Sequence, residues 1–293
     1  MFGFLPNNLF TGHRAADTSG LSPRLWGRLT GSMMASDGSK RLVLVGDDFL
    51  CMNHLATTYA NINSEQAYTA YIDSGSTFTV LADEKGGVLA LTGDATDNDE
   101  IWIEAGDGTG QLGQISDTAA DAHLTVFECR VKFDSLVDGV CSFFAGLAKP
   151  GTAAAEALVD NTGAIKATTQ FLGFRNLLDG DNIQCIYQAV ADSAAVINMA
   201  HVHDAAGDTY ALVADTFVKL GFVYDPDAVA AKRITWYVDN VEQSTYVTAT
   251  QIATATFPDA EALTFLFGYK NTVGTTPAST EGAIDWWGFG SLI

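Results

Sequence analysis

The chain is 293 residues long with 47% hydrophobic residues and a mean hydropathy of +0.13, enough to bury a large core in one extended β-sandwich or in two domains. Lysine and arginine number 15 against 35 aspartates and glutamates, a net charge of −20 with a pI near 4.3, which excludes generic affinity of the body for nucleic acid or an anionic membrane. Charged residues make only 17% of the chain, below the roughly 25% of soluble domains, and suit a surface partly covered by neighbours.

The charge is unevenly placed. Residues 1–41 hold Arg14, Arg24, Arg28, Lys40 and Arg41 against Asp17 and Asp37, a local +3, and the remainder carries −23. The two parts therefore see different partners. The opening ten residues lack a basic region and are broken by Pro6-Asn7-Asn8, so no secretory leader is expected. No apolar run approaches the ~18 residues of a membrane-spanning helix. Residues 1–40 mix Gly, Ser, Asn and Pro with isolated large residues such as Phe2, Phe4, Leu9, Trp26 and Leu29. No period is sustained, although Ser22 as N-cap and Pro23 at N1 allow one or two helical turns through Leu29. This stretch reads as an extended N-terminal arm, unordered in the isolated chain and ordered against another surface. Its removal is expected to leave thermal unfolding unchanged. Residues 41–293 form the second unit, a β-sandwich domain.

The body opens with a strand at 41–45, then Asp47-Asp48 and Phe49. Short alternating strands follow at 66–72, 77–81 and 87–92, parted by turn residues, as in an antiparallel sandwich. Residues 100–104 form another, with Ile101 and Ile103 on one face and Trp102 on the other. The strand at 123–133 has Phe127, Cys129, Val131 and Phe133 on its apolar face, with Val126, Glu128, Arg130 and Lys132 opposite. Residues 140–147 are expected to pair back onto it as a hairpin, which would make Cys129 and Cys141 cross-strand neighbours; small buried thiols are the plainer reading of all four cysteines. An alanine-rich patch at 151–160 favours helix. Strands are expected again at 169–174, 183–190, 196–202 and 209–213. The clearest succession is 217–224, a turn at Asp225-Pro226-Asp227, 233–238 with Ile234, Trp236 and Val238 inward, a tight turn at Asp239-Asn240, and 241–247. Strands at 263–269 and 284–289 close the fold. A dozen or more strands with no fixed repeat argue against a propeller or solenoid and for an all-β jelly-roll or concanavalin-type sandwich.

Chemistry is sparse. The ExDxxE arrangement of two carboxylates that a glucanase strand needs is absent, and the pairs Asp97/Asp99 and Asp225/Asp227 lie in turns. Asp94, Asp97, Asp99 and Glu100 supply oxygens in one loop, where a bound calcium competes with a solvated acidic turn. His201 and His203 share a strand face with Asp204 beside them, but a zinc site needs a further ligand. No phosphate loop, GxSxG, HExxH or dinucleotide fingerprint occurs. No cofactor or metal is expected, and no enzymatic activity. Trp286 and Trp287 cannot both face the same side of a strand, so one is covered by the arm or a neighbour, or exposed as a sugar-stacking surface.

The segments VKLGFVYDP, KRITWYVDN, FPDAEALTFLFGYKN and IDWWGF, with FECRVKFDSLVDGVCSFFAGLA at 127–148, resemble the concanavalin A-like lectin/glucanase sandwich as it occurs in virion structural proteins of tailed bacteriophages. The resemblance covers 42–293. It implies a non-enzymatic phage structural protein, first of all a capsid decoration (cement) protein on the outer shell, assembled in the host cytoplasm. Its partner would be the major capsid protein, with no nucleic acid and no membrane. Self-association as a homo-oligomer, a trimer on a local three-fold axis, goes with this reading. The contact residues would be Arg14, Arg24, Trp26 and Arg28 of the arm. The alternatives are a carbohydrate-binding module or a head- or tail-fibre component for host attachment, and a glycan-cleaving enzyme. An exposed aromatic cluster would mark the binding module, and a cleft with two facing carboxylates the enzyme.

Overall fold

The computed structural model describes residues 20–35, 41–49, 62–63, 67–81, 87–94, 98–133, 141–154, 157, 169–176, 183–189, 197–201, 212–271 and 282–293. Two α-helices, one 3-10 turn at Ala230–Lys232 and sixteen strands are assigned among them. In chain order the α-helices and strands are α1 (Pro23–Ala35), β1 (Leu42–Asp47), β2 (Ile62–Asn63), β3 (Ala67–Ile72), β4 (Thr77–Val80), β5 (Leu89–Thr92), β6 (Glu100–Ala105), β7 (Thr125–Lys132) and β8 (Cys141–Ala148). They continue with β9 (Phe171–Asn176), β10 (Ile183–Gln188), β11 (Ile197–His201), β12 (Val218–Tyr224), β13 (Ile234–Val238), β14 (Val241–Val247), α2 (Ala249–Ile252), β15 (Thr264–Asn271) and β16 (Gly282–Leu292).

The strands form two antiparallel sheets. The first runs β14-β13-β12-β7-β16-β5-β4, with β1 also on β16; the second runs β11-β10-β9-β8-β15-β6-β3-β2. Inward residues of both sheets share one core. Phe127 faces Phe265 at 6.2 Å, Phe174 meets Trp236 edge-on at 5.2 Å, and Phe265 stacks on Trp287 at 4.6 Å. The all-β sandwich read from the sequence is therefore the fold. The β12-β13-β14 meander is present with Ile234, Trp236 and Val238 in the core. Its tight turn is the left-handed pair Asp239 (φ 47°) and Asn240 (φ 66°), which matches strand twist in two-residue hairpins.

Three expectations are corrected. β7 and β8 are not a hairpin: β7 belongs to the first sheet and β8 to the second, and Phe133 stacks on Phe143 at 4.1 Å across the sandwich. A sheet-to-sheet crossing and a hairpin both read as two apolar strands around a turn, so local sequence does not separate them. Cys129 thus lies in the other sheet from Cys141 and is a free buried thiol, like Cys185. Of the 151–160 patch, residues 151–154 and 157 are described and are not helical, and the rest lies outside the described residues.

The third correction concerns the arm. Residues 23–35 form a 13-residue helix, α1, lying on the outer face of the first sheet. Leu25, Trp26 and Leu29 are buried there against Val126, Val223, Tyr237 and Leu292. The sheet accepts the helix because Gly221, Gly288 and Gly290 leave a trough. A Cβ on Gly221 would come within 2.5 Å of Leu25, and one on Gly290 within 2.5 Å of Leu29. Burying three such side chains is worth about 1.5–3 kcal/mol each. Within the described residues, the segment is ordered on its own chain.

Candidate functional site

The helix seam is built around a buried carboxylate. Glu128 projects from β7 on the face opposite Phe127, and its Oε2 accepts from the Ser22 backbone N–H at 2.9 Å and from Trp26 Nε1 at 2.8 Å. Burial pushes the Glu128 carboxyl up, while hydrogen bonds from Ser22 and Trp26 and the Lys219 charge pull it down. Lys219 Nζ in turn donates to the Gly20 carbonyl at 3.1 Å.

The expected contact residues fall around this seam. Trp26 is 7% exposed, and its ring and N–H are engaged within the chain, so its expected role as an external contact is corrected. Arg28 donates from Nη2 to the Tyr237 hydroxyl at 3.2 Å, with Nη1 3.7 Å from Asp225. The Arg24 side chain belongs to an exposed residue whose backbone N–H donates to Asn240 Oδ1 at 3.1 Å. Arg14 lies outside the described residues. Arg24, exposed, and Arg28, half-buried, thus share one helix edge, and the structure does not bring Trp26 to it.

On the second sheet, β6 alternates Glu100, Trp102 and Glu104 on its outer face. This is a same-face carboxylate pair outside the ExDxxE pattern, carried by the i, i+2, i+4 spacing in Glu-Ile-Trp-Ile-Glu. Both acids are buried. Glu104 accepts backbone N–H bonds from Gly151 at 2.7 Å and Ala153 at 3.0 Å; burial pushes its carboxyl up and these bonds pull it down. Glu100 accepts from Trp102 Nε1, Ala157 N and Lys270 Nζ. Among the described residues, Gly151, Ala153 and Ala157 lie over this face, and their backbone N–H groups engage the two acids.

All five tryptophans are buried, which leaves no indole as a sugar-stacking platform. Trp287 points inward, and its Nε1 donates to the Tyr68 hydroxyl, which donates to Asp47. A register shift between Ile284 and Trp286 puts Trp286 on the outer face, where it is 6% exposed.

A cavity of about 500 Å³ opens at one end of the first sheet, beside Asp117, His123, Tyr224, Asp227, Arg233 and Ile252. Nη1 of Arg233 is enclosed there with no hydrogen-bond partner among the described residues. Burial pushes the Tyr224 hydroxyl up to about 12, and Arg233 pulls it down. In the acidic loop, Asp99 is pushed up to about 6 by burial and by the charges of Asp73 and Asp94. Asp97, His203 and Asp204 lie outside the described residues. Among the described residues no three of His, Cys, Asp and Glu are grouped to hold a metal ion.

No family model and no curated protein match the chain. Solved structures do. A protein of unknown function from Shewanella oneidensis is 15% identical with a TM-score of 0.51, covering 93% of this chain and 95% of its own. Peanut lectin is 15% identical with a TM-score of 0.50, covering 86% and 99%. An endo-1,3-β-glucanase from Streptomyces sioyaensis is 12% identical with a TM-score of 0.50, covering 85% and 96%. At these identities the likeness is one of fold: the chain has the concanavalin A-like lectin/glucanase sandwich.

Proposed function

We propose that this chain is a non-enzymatic structural protein of a tailed-phage particle, a decoration protein that binds the outer surface of the capsid shell. The observation that carries the reading is the closure of the body. The paired carboxylates of β6 are engaged by backbone N–H groups, Trp102 and Lys270, and every tryptophan is buried. Such a body works by association, and its low charge density suits a surface shared with neighbours. Arg24 and Arg28 on the shared edge of α1 are the cations that meet capsid carboxylates, and a homo-oligomer brings several such edges to one lattice point. The test is occupancy: purified full-length chain added to empty shells of its phage saturates at a stoichiometry set by the lattice. Failure to bind at any concentration overturns the reading.

A second reading, carbohydrate binding, is favoured by the end cavity, whose mixed charged and apolar lining suits a polyhydroxylated ligand. Peanut lectin, of the same fold, is a lectin by name. A glycan array with the parent and Arg233→Ala decides it: binding lost in the variant supports this reading, and a blank array with the parent removes it.

A further inference from the structure

On the outer face of the second sheet, Lys270 of β15 stands directly opposite Glu100 of β6 in antiparallel register. The lysine is 0% exposed and the glutamate 3%, with Nζ 2.9 Å from Oε1. The other carboxylate oxygen, Oε2, accepts from Trp102 Nε1 at 2.7 Å and from the Ala157 backbone N–H at 3.2 Å. Trp102, Phe144, Leu266 and Ala157 make an apolar cluster on the same face.

Burial strips both groups of hydration and holds them in direct contact, with Nζ 2.9 Å from Oε1. Amide condensation in general joins an amine to a carboxylic acid. Here the amine is held against the carboxyl carbon at an effective concentration that free reactants do not reach. The two N–H donors on Oε2 sit where negative charge develops when the amine adds to the carboxyl group.

We propose that Lys270 and Glu100 condense into an intramolecular isopeptide bond. The Nζ–Cδ bond forms and the Cδ–Oε1 bond breaks. Oε1 leaves as water, carrying the proton of the acid and one proton from the amine. No oxidant, reductant or cofactor enters. The product is a covalent rung between neighbouring strands β6 and β15, independent of the function proposed above.

Intact-mass spectrometry of the purified full-length chain tests this. The expected mass is lower than the sequence mass by one water. Tryptic digestion is expected to join residues 86–130 to residues 234–293, with no cleavage after Lys270. Trp102→Phe keeps the pair and removes one donor, so its cross-linked fraction falls below that of the parent. Lys270→Arg returns the full mass. A parent chain at full sequence mass that is cleaved after Lys270 holds an ion pair only, and the proposal is then wrong. It is equally wrong if the lost water maps to any other residue pair.

Discussion

At the scale of single residues, the core is specified by aromatic shape. Trp236 is fully buried between Phe174 and Phe222, and its Nε1 has no hydrogen-bond partner among the described residues. Trp236→Ala is expected to cost about 3–5 kcal/mol in denaturant unfolding. Trp236→Phe is expected to cost less, because it fills part of the space and removes an unpaired donor. Asp99 makes a pH prediction. Its folded pKa of about 6 lies above the 3.8 of an ordinary aspartate, so the native state holds the proton more tightly. Its stabilising contribution is therefore complete below pH 3.8 and is lost as pH rises through 6. Asp99→Asn should unfold at a higher temperature than the parent at pH 7, with the difference closing as the pH falls below the ordinary aspartate value. Equal shifts at both pH values would show that the carboxylate charge is not the cause. Trp236 was legible because Ile234, Trp236 and Val238 alternate cleanly. The environment of Asp99 was not, because Asp73 comes from a distant turn.

At the scale of elements, the meander β12-β13-β14 was legible in full, whereas of α1 only the start at Ser22-Pro23 and its first turns were, for a physical reason. The meander carries both a period of two and turn residues that force reversal. In α1 the apolar residues Leu25, Trp26 and Leu29 are diluted by Gly27, Thr30 and Gly31, which weaken helix propensity. The helix owes its stability to the trough beneath it, whose glycines lie more than 180 residues further along the chain. Gly290→Val should lower the melting temperature by displacing Leu29 and Trp26. Gly27→Ala should raise stability by about 0.5–1 kcal/mol, since a Cβ there meets nothing within 4 Å. Deleting residues 1–35 uncovers Val126, Val223 and Tyr237 and strips Glu128 of two donors, so thermal unfolding should move down clearly. An unchanged unfolding curve would return α1 to the status of a detachable arm. The carboxylate pair of β6 was not legible as a motif because it does not fall in the ExDxxE pattern. Two acids four residues apart on a strand share a face whatever lies between them.

At the scale of the whole molecule, the protein is a concanavalin A-like sandwich, for which we propose action by surface association. Its net charge of −20 opposes generic attraction to nucleic acid, and in the described part every tryptophan is buried and the β6 carboxylates are engaged by backbone N–H groups. Attachment through Arg24 and Arg28 at the rim of α1 should weaken with salt, and the Arg24→Ala/Arg28→Ala variant should bind less tightly and with a shallower salt dependence. A density map of the native phage particle tests the central claim most directly. The account predicts the sandwich on the outside of the shell, at repeated lattice positions, with α1 docked on its own chain and the Arg24–Arg28 edge against capsid protein. A particle that lacks the chain, or carries it with that edge facing solvent, would contradict it.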